Sequence, residues 1–182
     1  TREIVANYPD LLLNINLAYP QLQNTNFNSD LCNIIKVEKF NPKNLNLELT
    51  ERCKFSSLDN LKSGIAFFKS MGISSALDDF GTGYSALDLM VELQVDEIKI
   101  DKSFIQDIDE DSSRQSLLKA ITVCADELGK KSCVEGIETD IMAEYVYKHF
   151  KVTKYQGYYF SKPLEKEKLI EWAVKNKEDF AK

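Results

Sequence analysis

Short apolar runs alternate with amphipathic stretches along the whole chain, and this alternation most narrows what it can fold into. Strands are predicted at Leu11–Leu17, Leu45–Leu49, Ile73–Leu77, Glu97–Ile100, Ser132–Val134 and Val152–Tyr155. Helical periodicity predicts helices over Asp30–Phe40, Ser57–Met71, Ser85–Leu93, Ser113–Leu128, Thr139–Phe150 and Glu165–Lys177. Ser57 reads as the N-cap and Gly72 as the stop of the second helix, whose apolar stripe is Leu58, Leu61, Ile65 and Phe68. The fourth is expected to bury Leu117, Ile121, Cys124 and Leu128 and to end at Gly129. Strand and helix in strict succession build an α/β protein with a parallel sheet, either doubly wound or closed as a (β/α)₈ barrel. A barrel takes about eight units and roughly 250 residues. This 182-residue chain offers about six units, so a barrel would be incomplete by around two strands. No linker, repeat or low-complexity run divides it, and residues 1–182 are read as one domain.

Composition narrows the chemistry. The net charge is −6 and no cluster of Lys and Arg is visible, which argues against polymeric nucleic acid as a partner. No apolar run reaches the ~18 residues of a membrane span. Cys32, Cys53, Cys124 and Cys133 are too dispersed for a zinc site and suit reduced structural thiols of a cytoplasmic protein. The only histidine, His149, sits at a predicted helix end and is read as a surface residue. Chemistry therefore falls to carboxylates, lysine, tyrosine or a metal.

Polar and acidic residues mark the C-terminal ends of successive strands: Asn16, Glu48, the pair Asp78–Asp79, Lys99, then Glu135 and Glu138. Those ends form the active face of parallel α/β folds. One such residue is an ordinary cap or solvated strand end, but a run of five strands is not. Converging carboxylates repel and raise one another's pKa values, and hard cations such as Mg²⁺ or Mn²⁺ relieve the repulsion. Two ions about 4 Å apart can clamp a phosphodiester and activate a water. Lys99 would act on that water or on the phosphate charge.

The segments NLELTE (46–51), LDDFGTGYSAL (77–87), VDEIKIDKSFI (95–105), CVEGIET (133–139) and YQGYYFSKPL (155–164) resemble the EAL domain family, in the family's order. NINLAYPQL (14–22) resembles its Asn-x-Ser strand, with Ala18 in place of the serine. The resemblance implies a TIM-barrel-like (β/α)₈ fold and hydrolysis of cyclic di-GMP to pGpG with Mg²⁺ or Mn²⁺ at a two-metal site. It implies Asn16, Glu48, Asp78, Asp79 and Glu135 as metal ligands, and Lys99, Glu135 and Asp79 as catalytic residues. Glu138 and Gln156 would support the metal and substrate site, and Glu51 would anchor the loop Phe80 to Ser85. A homodimer is implied, as are sensory or GGDEF domains in the parent protein, through which any membrane anchorage would come. The Glu-Ala-Leu segment itself is absent, so the chain is read as an N-terminally truncated and catalytically impaired domain. The alternative is a non-catalytic EAL-like module that binds cyclic di-GMP or a protein partner and transmits a signal.

Other signals carry less. Asp79-Phe80-Gly81 lacks the remaining kinase motifs, Gly81-Thr82-Gly83 lacks a following GK[ST], and Asp107–Glu110 lacks the twelve-residue calcium pattern. Tyr155, Tyr158, Tyr159 and Phe160 could stack on guanine, but edge packing in a strand is the preferred reading. Glu51, three residues beyond Glu48, is expected to be structural. Its replacement by Gln should weaken metal or substrate affinity with the fold intact. Isothermal titration beside circular dichroism checks this, and unchanged affinity would remove Glu51 from the site.

Overall fold

A computed structural model describes residues 11–50, 58–82 and 86–175. Six parallel strands form one sheet: β1 (Leu13–Leu17), β2 (Leu45–Thr50), β3 (Ser74–Phe80), β4 (Glu97–Ile100), β5 (Lys131–Val134) and β6 (Lys154–Tyr155). They lie in the order β1-β2-β3-β4-β5-β6, identical to their order in the chain. A doubly wound sheet reverses its strand order at a switch point. This one never does, so the chain winds in one direction as a barrel wall does. The helices are α1 (Tyr19–Leu22), α2 (Phe27–Glu38), α3 (Leu58–Ser70), α4 (Ala86–Glu92), α5 (Ser112–Glu127), α6 (Asp140–His149) and α7 (Lys166–Lys175). Short 3₁₀ turns at Pro42–Asn44 and Lys102–Phe104, together with α1, were not predicted by the periodicity. No helix among the described residues is long and apolar enough to cross a membrane.

Side-chain alternation gives the sheet two unlike faces. Leu45, Leu47, Leu49, Leu77, Ile98, Ile100 and Val134 are buried in the apolar core. Leu61, Ile65 and Phe68 of α3 share that core with Leu89, Leu118, Ile121 and Val146 of later helices. The Phe27 ring meets Phe68 edge-on at 6.3 Å, fastening α2 to α3. The other face carries Asn46, Glu48, Glu97 and Lys99, all buried. The core is therefore between sheet and helices, while the inner face of the wall is polar.

Two expectations need correction. In α5 the buried residues are Leu118, Ile121, Thr122 and Ala125, whereas Leu117 and Leu128 stay 50% and 44% exposed and Cys124 is also exposed. The periodicity misplaced the face because Thr122 counts as polar. Its hydroxyl bonds the carbonyls of Leu118 and Lys119 at 3.0 and 3.1 Å, which makes its burial cheap. The last strand is also shorter than predicted, and Tyr158, Tyr159 and Phe160 lie exposed in the turn after it. Backbone contacts end the strand there: Ile137 N donates to Gln156 O at 3.1 Å, and Tyr159 N to Ile137 O at 3.0 Å. Ser57, expected to cap α3, and Cys53 lie outside the described residues.

This crossing needs a glycine. A Cβ on Gly157 would stand 2.0 Å from the carbonyl oxygen and 2.4 Å from the nitrogen of Ile137, backbone atoms that cannot turn aside. Gly157→Ala should therefore destabilise the protein by about 1–3 kcal/mol, the scale of overpacking a tight contact. Urea unfolding measures it, and an unchanged midpoint would show that the crossing is loose.

Candidate functional site

The inner face gathers its charge around one lysine. Lys99, near the middle of β4, has 6% of its side chain exposed, and its Nζ lies 2.9 Å from Glu48 Oε1 on β2 and 2.9 Å from Asp78 Oδ1 on β3. Glu135, just past β5, completes the set at 2.8 Å. The contact with Asp78 is a hydrogen bond. That with Glu48 is an ion pair of the same length, made through Oε1 alone.

A bulge doubles the carboxylates on β3. Leu77 stands opposite Ile98 and Phe80 opposite Ile100, so Asp78 and Asp79 together face the single residue Lys99. Two residues against one is the signature of a β-bulge. Asp79 takes the left-handed conformation, φ 54°, which costs a non-glycine residue roughly 1–2 kcal/mol. Thr82 offsets part of that cost, since its backbone N–H and its hydroxyl both donate to Asp79 O, at 3.2 and 2.8 Å. Ligand oxygens of Asp78, Asp79 and Glu135 consequently lie within 4.8 Å of one another. Glu135 is placed by its own backbone N–H, which donates to Ile100 O at 3.1 Å. Gly136 follows in a left-handed turn (φ 76°), where a Cβ would sit 2.2 Å from Lys102 Cβ.

Electrostatics follow from burial. Desolvation raises the carboxyl pKa of Glu48 and of Glu135 above the ordinary value; Lys99 pulls each back down, while Asp78 adds repulsion. Burial pushes the Lys99 ammonium down, but Asp78, Glu135 and Glu48 outweigh it and hold the group above the usual lysine range. Lys99 therefore keeps its proton at neutral pH. Burial, with Glu97 and Glu135 nearby, pushes the Cys133 thiol up to about 12, which leaves it inert as a nucleophile. Three carboxylates on one ammonium, with Asp79 beside them, leave an excess of negative charge carried by hard oxygen donors, the environment that suits a divalent cation.

Of the residues singled out in the sequence, Glu48, Asp78, Asp79, Lys99 and Glu135 come together in this way. Asn16 lies beside Glu48 in register on β1, with its side chain exposed. Glu138 and Gln156 are exposed at the rim, and the Gln156 backbone rather than its side chain makes the contact with Ile137. Glu51 lies outside the described residues, as do Gly83 to Ser85 of the loop it was expected to anchor. The sequence reading missed a second charged layer beneath the first: buried Glu97 pairs with Lys154 Nζ at 2.6 Å. It also missed Asn46, fully buried on the inner face of β2. Counting back two residues from Lys99 and from Glu48 would have found both.

The sequence profile of the EAL domain matches residues 2–163, and the chain belongs to the EAL domain family. Over 166 residues it is 36% identical to an Escherichia coli K12 protein named "Probable cyclic di-GMP phosphodiesterase PdeB". That alignment takes in 91% of this chain and 31% of the relative, so the chain spans about a third of that protein. Among solved structures it superposes on the EAL domain of Mycobacterium smegmatis DcpA with a TM-score of 0.88 at 28% identity, covering 96% of this chain and 78% of that one. It also matches Klebsiella pneumoniae BlrP1 in a manganese and cyclic di-GMP complex (TM-score 0.78, 26% identity, 89% and 42% coverage). The fold is accordingly TIM-barrel-like, with six strands of the wall described here.

The raised carboxyl of Glu135 has a thermodynamic consequence. A carboxyl with its folded pKa above its unfolded one stabilises the fold at low pH and loses that contribution as pH rises through the folded value. Ionising Glu135 therefore costs the metal-free fold stability. Glu135→Gln should raise the melting temperature of the metal-free protein by about 2–4 °C, the shift of ~1 kcal/mol in a domain of this size. The same change should weaken Mn²⁺ binding. Calorimetry in a chelator checks the first effect, and a lowered melting temperature would contradict it.

Proposed function

We propose that the chain is a metal-dependent phosphodiesterase domain that hydrolyses cyclic di-GMP to pGpG. The observation that carries the reading is Lys99 held by Glu48, Asp78 and Glu135 with Asp79 beside them. Glu48, Asp78, Asp79 and Glu135 supply anionic oxygens and Asn16 an amide oxygen, a donor set that fits Mg²⁺ or Mn²⁺. When bound, such ions offset phosphate charge and lower the pKa of a coordinated water. The PdeB name and the manganese and cyclic di-GMP complex of the Klebsiella protein support the same substrate and metal class here.

In this reading the chain's residues divide the work by protonation state. Lys99 stays protonated and is unsuited to act as a base, so it orients the attacking water and offsets phosphate charge. As the water oxygen bonds to phosphorus and the bond from phosphorus to the 3′ oxygen breaks, the water's proton passes to a carboxylate, and the 3′ oxygen takes up a proton from solvent to leave as a hydroxyl. Glu135, its pKa raised by burial, is the residue assigned that role, with Asp79 as its neighbour in the cluster. Glu138 and Gln156 at the rim are assigned to substrate and water support. A homodimer, and sensory or GGDEF domains in a longer cytoplasmic parent, belong to the same proposal.

The purified 182-residue protein, given cyclic di-GMP and Mn²⁺, should release pGpG, and a chelator should stop it. Lys99→Ala and Glu135→Ala should each lower kcat by at least about 10²-fold. Chromatography of the products decides. Tight binding of cyclic di-GMP without hydrolysis in Mn²⁺ would make the chain a non-catalytic binding module, and a variant with near-normal turnover would free its residue from the mechanism.

A further inference from the structure

Two buried side-chain atoms among the described residues have no protein partner, and both belong to one residue of β2: Nδ2 and Oδ1 of Asn46. Two positions on, the buried Oε1 of Glu48 has only the Lys99 ammonium beside it. Asn46 is 0% exposed and precedes Glu48 by two positions on β2, so both side chains face the inside of the wall. The flanking strands offer it nothing. Asn14, in register on β1, is turned to solvent, and the hydroxyl of Ser74, in register on β3, donates to Leu45 O at 3.1 Å. Leucine in the same place would carry no such unmade bonds, whereas a buried carboxamide without partners destabilises the fold. A residue of that kind calls for a use.

The use is next to it. Glu48 meets Lys99 through the single oxygen Oε1, and one contact leaves the rotation of its carboxylate open. Asn14 and Asn16 are exposed on the adjoining strand, so solvent comes within one strand of Asn46. A carboxamide both donates and accepts, which lets it orient a water that in turn donates to a carboxylate. We infer that Asn46 is a positioning residue, holding the Glu48 carboxylate through a trapped water in the orientation that a metal ligand needs. The inference rests on the proposed cation site, and it gives Glu48 a neutral support from below.

The test is Mn²⁺ affinity of the full chain, measured by titration calorimetry without substrate, beside thermal melting. Asn46→Leu should melt no lower than wild type yet bind Mn²⁺ about tenfold more weakly or worse, the scale for groups that orient metal ligands. Asn46→Ser, whose hydroxyl can still hold a water, should recover most of the affinity. A folded Asn46→Leu with wild-type affinity, or a serine variant as weak as the leucine one, overturns the inference while the cation site stands. Should the leucine variant not fold, Asn46→Ala takes its place under the same criterion. Wild-type protein that binds no Mn²⁺ overturns both. A high-resolution crystal structure of the metal-free protein should show a water bonded to Asn46 and Glu48, and a direct contact between the two would overturn the trapped-water arrangement.

Discussion

The inner face of this wall depends on the ammonium of Lys99. A lysine this deeply buried would shed its proton if it stood alone, because low-polarity surroundings disfavour the charged form. Carboxylates from β2, β3 and the end of β5 reverse that preference, and in doing so they tie three parts of the sheet to β4. The dependence runs both ways. Without the lysine, Glu48, Asp78 and Glu135 would face one another across a few ångströms with no opposite charge, and the sheet would splay or the acids would take up protons. The same cluster gives the metal-free protein an internal counterion, so the wall can form before any metal arrives.

Below that ring the polar character continues. The pair Glu97–Lys154 reaches from β4 to β6, and Asn46 lies on β2 under Glu48. Most proteins fill the inside of a small barrel with branched apolar side chains. Here most of the apolar packing is outside the wall, between strands and helices, and the inside carries charge and amide groups beside the small side chains of Ala76 and Cys133. Stability and chemistry are thus kept on opposite faces of the same six strands.

Much of this was legible in the sequence, because period-two and period-3.6 patterns report burial directly. The six strands, the helices that follow them and the gathering of Glu48, Asp78, Lys99 and Glu135 at strand ends are all readable from one line of text. What was hidden had specific causes. The buried face of α5 was misplaced because Thr122 satisfies its hydroxyl within its own helix. The last strand was overextended because a run of aromatic residues suits a strand, while the close approach of Gly157 to Ile137 is a non-local contact that no periodicity announces. Asn46 and Glu97 were passed over because strand interiors are assumed apolar. That Asp78 and Asp79 share a bulge was equally invisible, since adjacent residues in a regular strand would point to opposite sides.

The bulge has a consequence for how such a domain changes over generations. Because Leu77 and Phe80 are both correctly paired on either side of it, removing one codon at position 78 or 79 would leave a regular strand, with every later residue of β3 still opposite its present neighbour. The left-handed residue would vanish along with its cost, and Phe80 would remain in the core. One acid would be lost and, with position 79, the carbonyl to which Thr82 donates twice. A single in-frame deletion therefore separates a four-carboxylate cluster from a three-carboxylate one on an undisturbed fold.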